Sequence, residues 1–478
     1  MMNQFERTRR QFLRTASFAS MAGLRVSPFI LGLNSLAAMA QGSSNTDYRA
    51  LVCVFLQGGN DGHGTVIATD ADSFSAFTRA RSGAPGLAYP MSSLLPITLN
   101  TPQSGRTFAL NPYLGGVQNL FNAGRAAIVA NTGTLIAPAT KTQVNANSVP
   151  LPASLFSHFD QTAAWQAIAS NGGSAEHVGW GGAVADVIES MSLNSNSMFT
   201  CISTAGIALF LSGQTSFQLN VTPAGPIPIE GLAQPLFGQQ AGTNALQSIL
   251  SADEANLFAK EYGVVVQRSI AAQATLAASM LPAGPGGVAN PPQYLNPMTN
   301  MLADNPLADS MQTVARIILG RAGLGVTRQI FYVQLGSFDT HDGQAPQHAM
   351  LLSQLGQALE YFDGLMNQAG LGDQVTTFTA SDFGRTLTSN SDGTDHGWGS
   401  HHFVVGGAVQ GQDMYGQYPV VGVDQANDVG EGRLIPTTSV DQYAGTLAKW
   451  FGLSDGQIRQ VFPNFGNFGS DPYLGFLT

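Results

Sequence analysis

"YRALVCVFLQGGNDGHGT", residues 48–65, sets the pattern on which the whole chain is read. A nearly unbroken β-forming apolar run, too continuous for a sheet with one wet face, predicts a strand covered on both sides. Glycine, asparagine and aspartate then follow at once, the residues that make tight turns. The pattern recurs in "AAIVANTG" (126–133), "MFTCISTAG" (198–206), "QIFYVQLG" (329–336) and "QVTTFTA" (374–380). Helical spacing lies between these runs. In residues 345–370, Leu352, Leu355, Leu359, Phe362 and Met366 repeat at intervals of three and four, with Gly370 as the stop. Further helices are expected over 113–123, 174–191, 252–281 and 307–322, with a pair near 438–463. Strand, polar turn, helix, strand is the order of an α/β fold with a mostly parallel central sheet, whose ligands sit beyond the carboxyl ends of the strands.

Two stretches break the pattern. Residues 207–250 hold short β-like pieces and prolines, and 283–306 is rich in Pro, Gly and Asn. Regular elements resume after each, so both read as insertions in one domain spanning 41–478. Charged residues are only 10% of the chain against 44% apolar, which leaves Ser, Thr, Asn, Gln and the 55 glycines to finish the surface.

The first forty residues have a different character. A basic start containing Thr8-Arg9-Arg10-Gln11-Phe12-Leu13-Arg14 leads through a weakly apolar middle to small residues at Ala38 and Ala40. This is the composition of a twin-arginine export signal, with cleavage expected after Ala40 and the mature chain periplasmic or secreted. The segment carries five arginines and one glutamate, so removing its +4 takes the net charge from −10 to −14. Such a surface repels nucleic acid, and no apolar stretch of the mature chain is long enough to span a bilayer. Cys53 and Cys201, both in strand-like runs, read as buried core residues in preference to a disulfide or a catalytic thiol.

Chemistry-bearing side chains collect in the turns. The first strand ends on Asn60, Asp61 and His63, the fourth on Asp339, His341 and Asp342, and the fifth on Ser381 and Asp382, with Asp395 and His396 beyond. Carboxylates and imidazoles arriving from several strand ends are what a Zn or Mn site needs. Each has a plainer role too, since Asp61 and Asp339 are ordinary turn residues. His401 and His402 alternate along one strand, so at most one faces a site, and His177 and His348 read as surface or packing residues. In "LFSHFDQTAAWQAI" (155–168), Ser157 is placed to cap a helix or to act as a nucleophile beside His158. Arg385 could clamp a tetrahedral anion or pair internally with an aspartate.

Four blocks in order, "VCVFLQGGNDGHGTVI", "FSHFDQTAAWQ" with "GWGGAVAD", "LGSFDTHDGQ" with "QHAMLLSQLGQALEYF", and "TASDFGRTLTSNSDGTDHGWGSHHFVVGG", resemble the DUF1501 proteins. That family is similar by fold to alkaline phosphatases and sulfatases. The resemblance implies a three-layer α/β/α alkaline phosphatase-like fold and a divalent metal, Zn or Mn, held by Asp61, Asp339, His341, Asp382 and His396. It implies hydrolysis of a phosphate or sulfate ester; in such a hydrolase the residues themselves offer Ser157 or a metal-bound water as the attacking group, and Arg385 or His158 to steady the anion. Phe383 stands where the sulfatase-like turn carries a histidine, and the Cys-x-Pro-x-Arg nucleophile motif is absent. Two functions follow as expectations. One is an exported metal-dependent hydrolase of a small anionic ester. The other is a non-catalytic binding or assembly protein on the same scaffold, with a cell-surface polymer as partner.

Overall fold

The computed structural model describes residues 47–103, 105–167, 178–226, 228, 230–232, 235, 238–250 and 256–478. The expected export signal, residues 1–40, and His177 lie outside the described residues.

Among the described residues nine strands form the main sheet: β1 (Arg49–Leu56), β2 (Ala126–Gly133), β3 (Cys201–Ser203), β4 (Gln218–Asn220), β5 (Arg328–Leu335), β6 (Val375–Ser381), β7 (Ser400–Val405), β8 (Met414–Tyr415) and β9 (Thr438–Ser439). Their order is β8-β2-β7-β6-β1-β5-β3-β4, with β9 also paired to β2. All neighbours run parallel except β7, which is antiparallel to both β6 and β2. The α/β class with a mixed, mostly parallel sheet is therefore as the sequence predicts. Each of the five strand-like runs contains a strand of this sheet.

Continuous hydrophobicity in β1 is explained by burial on both faces. Ala50, Val52, Val54 and Leu56 enter one core, Leu51, Cys53 and Phe55 the other. Helices α1 (Gly115–Asn122), α4 (Pro306–Leu319) and α5 (Gln344–Gln368) cover the first face. The second is covered by α3 (Trp180–Ser190), α6 (Val440–Phe451) and α7 (Asp455–Val461). A short helix, α2 (His158–Gln166), begins beside the strand ends. On α5 the predicted stripe Leu352, Leu355, Leu359, Phe362 and Met366 is buried, each large side chain contributing roughly 1.5–3 kcal/mol. Asn305 caps α4 ahead of Pro306, and Ser439 and Gln442 form a capping box on α6.

The expected insertions are not structureless. Residues 207–250 supply β4 to the sheet edge and a helix at Gln240–Leu250, and 283–306 carries a hairpin, Tyr294–Asn296 with Met301–Ala303. Cys53 and Cys201 are buried free thiols, separated by β5, which lies between their strands. Among the described residues no helix is long and apolar enough to cross a membrane.

The register fixes the site. Leu56 stands opposite both Leu335 and Ser381, so β1, β5 and β6 end level at one edge of the sheet. Their turns leave from that edge together.

Candidate metal centre

The turn after β5 carries Asp339 and His341; the segment after β6 carries Asp382, Arg385, Asp395 and His396. The latter folds back on itself, with Gly384 N donating to Trp398 O, Gly397 N to Gly384 O, and Arg385 paired across the turn with His396. Close approach requires glycine here: a Cβ on Gly384 would lie 2.0 Å from Gly399 O. At the end of β1, Gly58 has φ +114°, and a Cβ there would stand 2.3 Å from Asp339 N. Its amide instead donates to Asp382 Oδ1 at 3.0 Å. The fourth contributor, His158, comes from the first turn of α2.

Three imidazole Nε2 atoms converge on one carboxylate oxygen. Asp339 Oδ1 lies 3.4 Å from His158 Nε2, 3.0 Å from His341 Nε2 and 3.3 Å from His396 Nε2. His341 and His396 face each other, Nε2 to Nε2, at 3.0 Å. The opposite nitrogen of every ring is held: His158 Nδ1 by Asp382 Oδ2 at 2.8 Å, His341 Nδ1 by Asp395 Oδ1 at 2.9 Å, and His396 Nδ1 by the Phe156 carbonyl at 2.7 Å. With the Nδ1 protons donated to these acceptors, the neutral rings direct three Nε2 lone pairs at a carboxylate oxygen. That is repulsive without a proton or cation among them.

A cation fits this arrangement. Ligands about 2.0–2.1 Å from a tetrahedral ion stand roughly 3.3 Å from one another, close to the three Asp339 separations and to that between His341 and His396. His158 Nε2 is a buried atom with no hydrogen-bond partner, and His158, Asp339 and His396 present ligand atoms all within 4.8 Å of one another. Backing of metal-ligating imidazoles by carboxylate or carbonyl is the usual outer arrangement of such sites. The Asp339 side chain is 44% exposed, so the cluster has an open side.

The electrostatics agree. A hydrogen bond to Asp382 holds His158 above the usual imidazole range against its partial burial. For His396, burial lowers the pKa, and repulsion from His158 and Arg385 adds to this, while the Phe156 carbonyl works the other way. Partial burial would raise Asp339, but the Arg385 guanidinium bonded to it, with His158 and His341, keeps it below the ordinary carboxylate range. A bound cation would take the place of a proton among these ligands.

Phe383 flanks two of the rings, its centroid 4.8 Å from that of His158 and 4.7 Å from that of His396, which themselves meet edge to face at 4.3 Å. Phe156 adopts φ +71°, a left-handed conformation disfavoured for a bulky residue. It thereby presents its carbonyl to His396. Arg433 braces this corner, Nε donating to His396 O and the guanidinium lying 5.2 Å over the Phe156 ring.

A family model described as "Protein of unknown function (DUF1501)" matches residues 48–462. The chain belongs to the DUF1501 family. No curated protein matches it. Solved structures similar to this DUF1501 chain include the PsFucS1 sulfatase from Pseudoalteromonas sp., 9% identical, covering 95% of this chain and 76% of that one, with a TM-score of 0.34. The lipoteichoic acid synthase LtaP from Listeria monocytogenes is 8% identical, covering 89% and 79%, TM-score 0.29. Ps i-CgsB in complex with k-i-k-neocarrahexaose is 9% identical, covering 86% and 73%, TM-score 0.34.

Of the residues expected at a site, the DUF1501 fold brings Asp339, His341, His396, Asp382, His158 and Arg385 together. Their parts differ from the expected ones. His158, expected to steady an anion, points Nε2 at the ligand cluster, whereas Asp382, expected as a ligand, is buried and spends its oxygens on Gly58 N and His158 Nδ1. Arg385 is buried and committed internally, donating to Asp339 Oδ1 at 2.7 Å, Gly58 O, Thr394 Oγ1 and Thr394 O. Ser157 caps α2, and its hydroxyl donates to Asp160 Oδ2 at 2.7 Å.

Asp61 does not join the cluster. Its carboxylate forms a buried pair with Arg81, Nη1 to Oδ2 at 2.5 Å and Nη2 to Oδ1 at 2.9 Å, and also accepts from Gly64 N and Gln344 Nε2. Its link to the centre runs through side chains: Gln344 Oε1 accepts from Thr394, Thr394 Oγ1 from Arg385, and Arg385 holds Asp339. Sequence reasoning missed Arg81, which lies in a stretch with no ligand-like pattern, and Gln344 and Thr394, which stand inside the quoted turns but are not ligand-type side chains. The role of Asp395 had a signal, because it immediately precedes His396 in a glycine-bounded turn.

Proposed function

We propose that this protein is an exported hydrolase of phosphate or sulfate esters that works with one divalent cation, Zn or Mn, held by His158, His341, His396 and Asp339. The observation that carries the reading is the convergence of three Nε2 atoms on Asp339 Oδ1 while every Nδ1 is held by an acceptor. A cation bound there supplies Lewis acidity toward an ester oxygen and makes water nucleophilic near neutral pH. The chain's own residues orient and tune. Asp382 and Asp395 fix two rings, Arg385 pins Asp339, and Phe383 packs against both His158 and His396. The open side meets a cleft of about 630 Å³ that His158, Asp339 and Asp382 help to line. Export is supported by the composition of residues 1–40.

The commitment of Ser157 to Asp160 and of Arg385 to internal acceptors favours a second reading, a binding or assembly protein acting on a cell-surface polymer. Metal analysis of the exported full-length protein separates the two. The hydrolase reading expects about one Zn or Mn per chain, lost together with hydrolysis of 4-nitrophenyl phosphate or sulfate in Asp339→Ala. Wild-type protein that is metal-free and inert toward both esters, with or without added Zn or Mn, overturns it.

A further inference from the structure

The cleft beside the cluster has a composition of its own. Along one wall runs a ladder of uncharged polar groups: Gln166 Nε2 donates to the Tyr332 hydroxyl at 3.3 Å, Tyr332 donates to Gln334 Oε1 at 3.4 Å, and Gln334 donates to Gln57 Oε1. Phe55 packs on Tyr332 with ring centroids 5.9 Å apart. At the rim stand Phe159 and Ile207, 84% and 83% exposed. Phe159 follows His158 directly on α2, so an apolar platform lies next to a candidate ligand. Among the described lining residues there is no lysine or arginine, and the only charged groups belong to the cluster.

This excludes two kinds of guest. A polyanionic chain would meet no countercharge in the cleft and a protein of net charge −10 outside it. A lipid-like group would cover the amide ladder without bonding to it, leaving buried polar atoms unpaired. What satisfies the lining is a ring with an apolar face for Phe159 and hydroxyls for the glutamines. We infer that the cleft binds an uncharged, polyhydroxylated ring, a neutral carbohydrate, as the alcohol portion of the ester. The identity of this alcohol rests on the hydrolase reading; the capacity of the cleft to bind it does not.

The test is calorimetric titration of the full mature protein, as isolated, with 4-nitrophenyl β-glucoside, β-galactoside and α-fucoside, with the β-glucuronide as the charged counterpart, and with 4-nitrophenol as the aglycone control. At least one neutral glycoside is expected to bind at least tenfold tighter than the glucuronide and than 4-nitrophenol. Phe159→Ala and Gln334→Leu should each weaken that binding about fivefold, with metal content unchanged. Binding of the glucuronide as tight as that of every neutral glycoside, indifference to both substitutions, or no glycoside binding overturns the inference. The two failures are distinguishable. Metal-free, inert protein that binds a glycoside through Phe159 loses the hydrolase reading and keeps the carbohydrate cleft. Metal-loaded protein that cleaves simple esters and ignores all glycosides does the reverse.

Discussion

His341 and His396 face each other Nε2 to Nε2 at 3.0 Å, while their Nδ1 atoms are anchored on Asp395 and on the Phe156 carbonyl. Two neutral rings so anchored present lone pair to lone pair. Held by their far nitrogens, they cannot turn aside to relieve the contact, and a shared positive charge is what reconciles them.

The anchors themselves are therefore testable. Asp382→Asn keeps the volume at His158 Nδ1 but removes the carboxylate charge that favours the imidazole in its present orientation. Affinity for Zn should fall about 10–100-fold, measured by competition with a chromophoric chelator, while far-UV circular dichroism stays as in the wild type. An unchanged affinity would mean that Asp382 does not orient a ligand.

Ser157→Ala removes the cap of α2 and its bond to Asp160. It should lower unfolding stability by about 1 kcal/mol and leave kcat for ester hydrolysis within about twofold of wild type. A loss of about a thousandfold or more, with the fold intact, would make Ser157 the attacking group.

Asp61→Asn tests the buried pair. Arg81 would then be left without its countercharge in the interior, a loss of roughly 3–5 kcal/mol in urea unfolding. Protein that does fold should retain its metal, because Asp61 reaches the centre through intervening residues, Gln344, Thr394 and Arg385 among them, and does not touch the ligands itself. Stoichiometric metal loss with undiminished stability would return Asp61 to the ligand set.

Acid should destabilise the protein in two stages. Burial pushes His63 and His348 down to about 4 and His402 to about 3, so below about 6.5 the unfolded chain takes up protons that the folded chain refuses. Stability conferred by their neutrality is present above about 6.5 and lost as pH falls through these folded values. Burial alone would raise Asp61, but attraction and hydrogen bonds from Arg81 outweigh it and hold the carboxyl well below the usual range. Its contribution is present above about 4 and lost below. Urea midpoints at pH 7, 5.5 and 4.5 should fall in that order, and a midpoint unchanged between 7 and 4.5 contradicts the assignment.

Much of this architecture was legible because β-strands buried on both faces write themselves as continuous apolar runs. β1, β2, β5 and β6 are found within a residue of the predicted spans, and α5 shows its stripe. The strand–turn junctions likewise marked Asp339, Asp382 and His396. Which atom each residue offers was not legible. Asp61 and Asp339 occupy equivalent turns on adjacent strands, yet only one has Arg81 packed beneath it, and Arg81 reaches it from an unremarkable helix end. His158 was recognisable as a polar residue at a helix start. Its approach to Asp339 depends on where α2 sits against the sheet edge, which local periodicity does not encode.

The three rings and the carboxylate come from α2, the β5 exit and the β6–β7 connection, segments that meet only after the sheet has closed. A cation gripping all of them acts as a clasp on the finished tertiary structure. Its binding is absent from the unfolded chain, so each tenfold rise of free metal above its Kd would add about 1.4 kcal/mol to folding. The melting temperature of the protein would then report how much metal its surroundings hold.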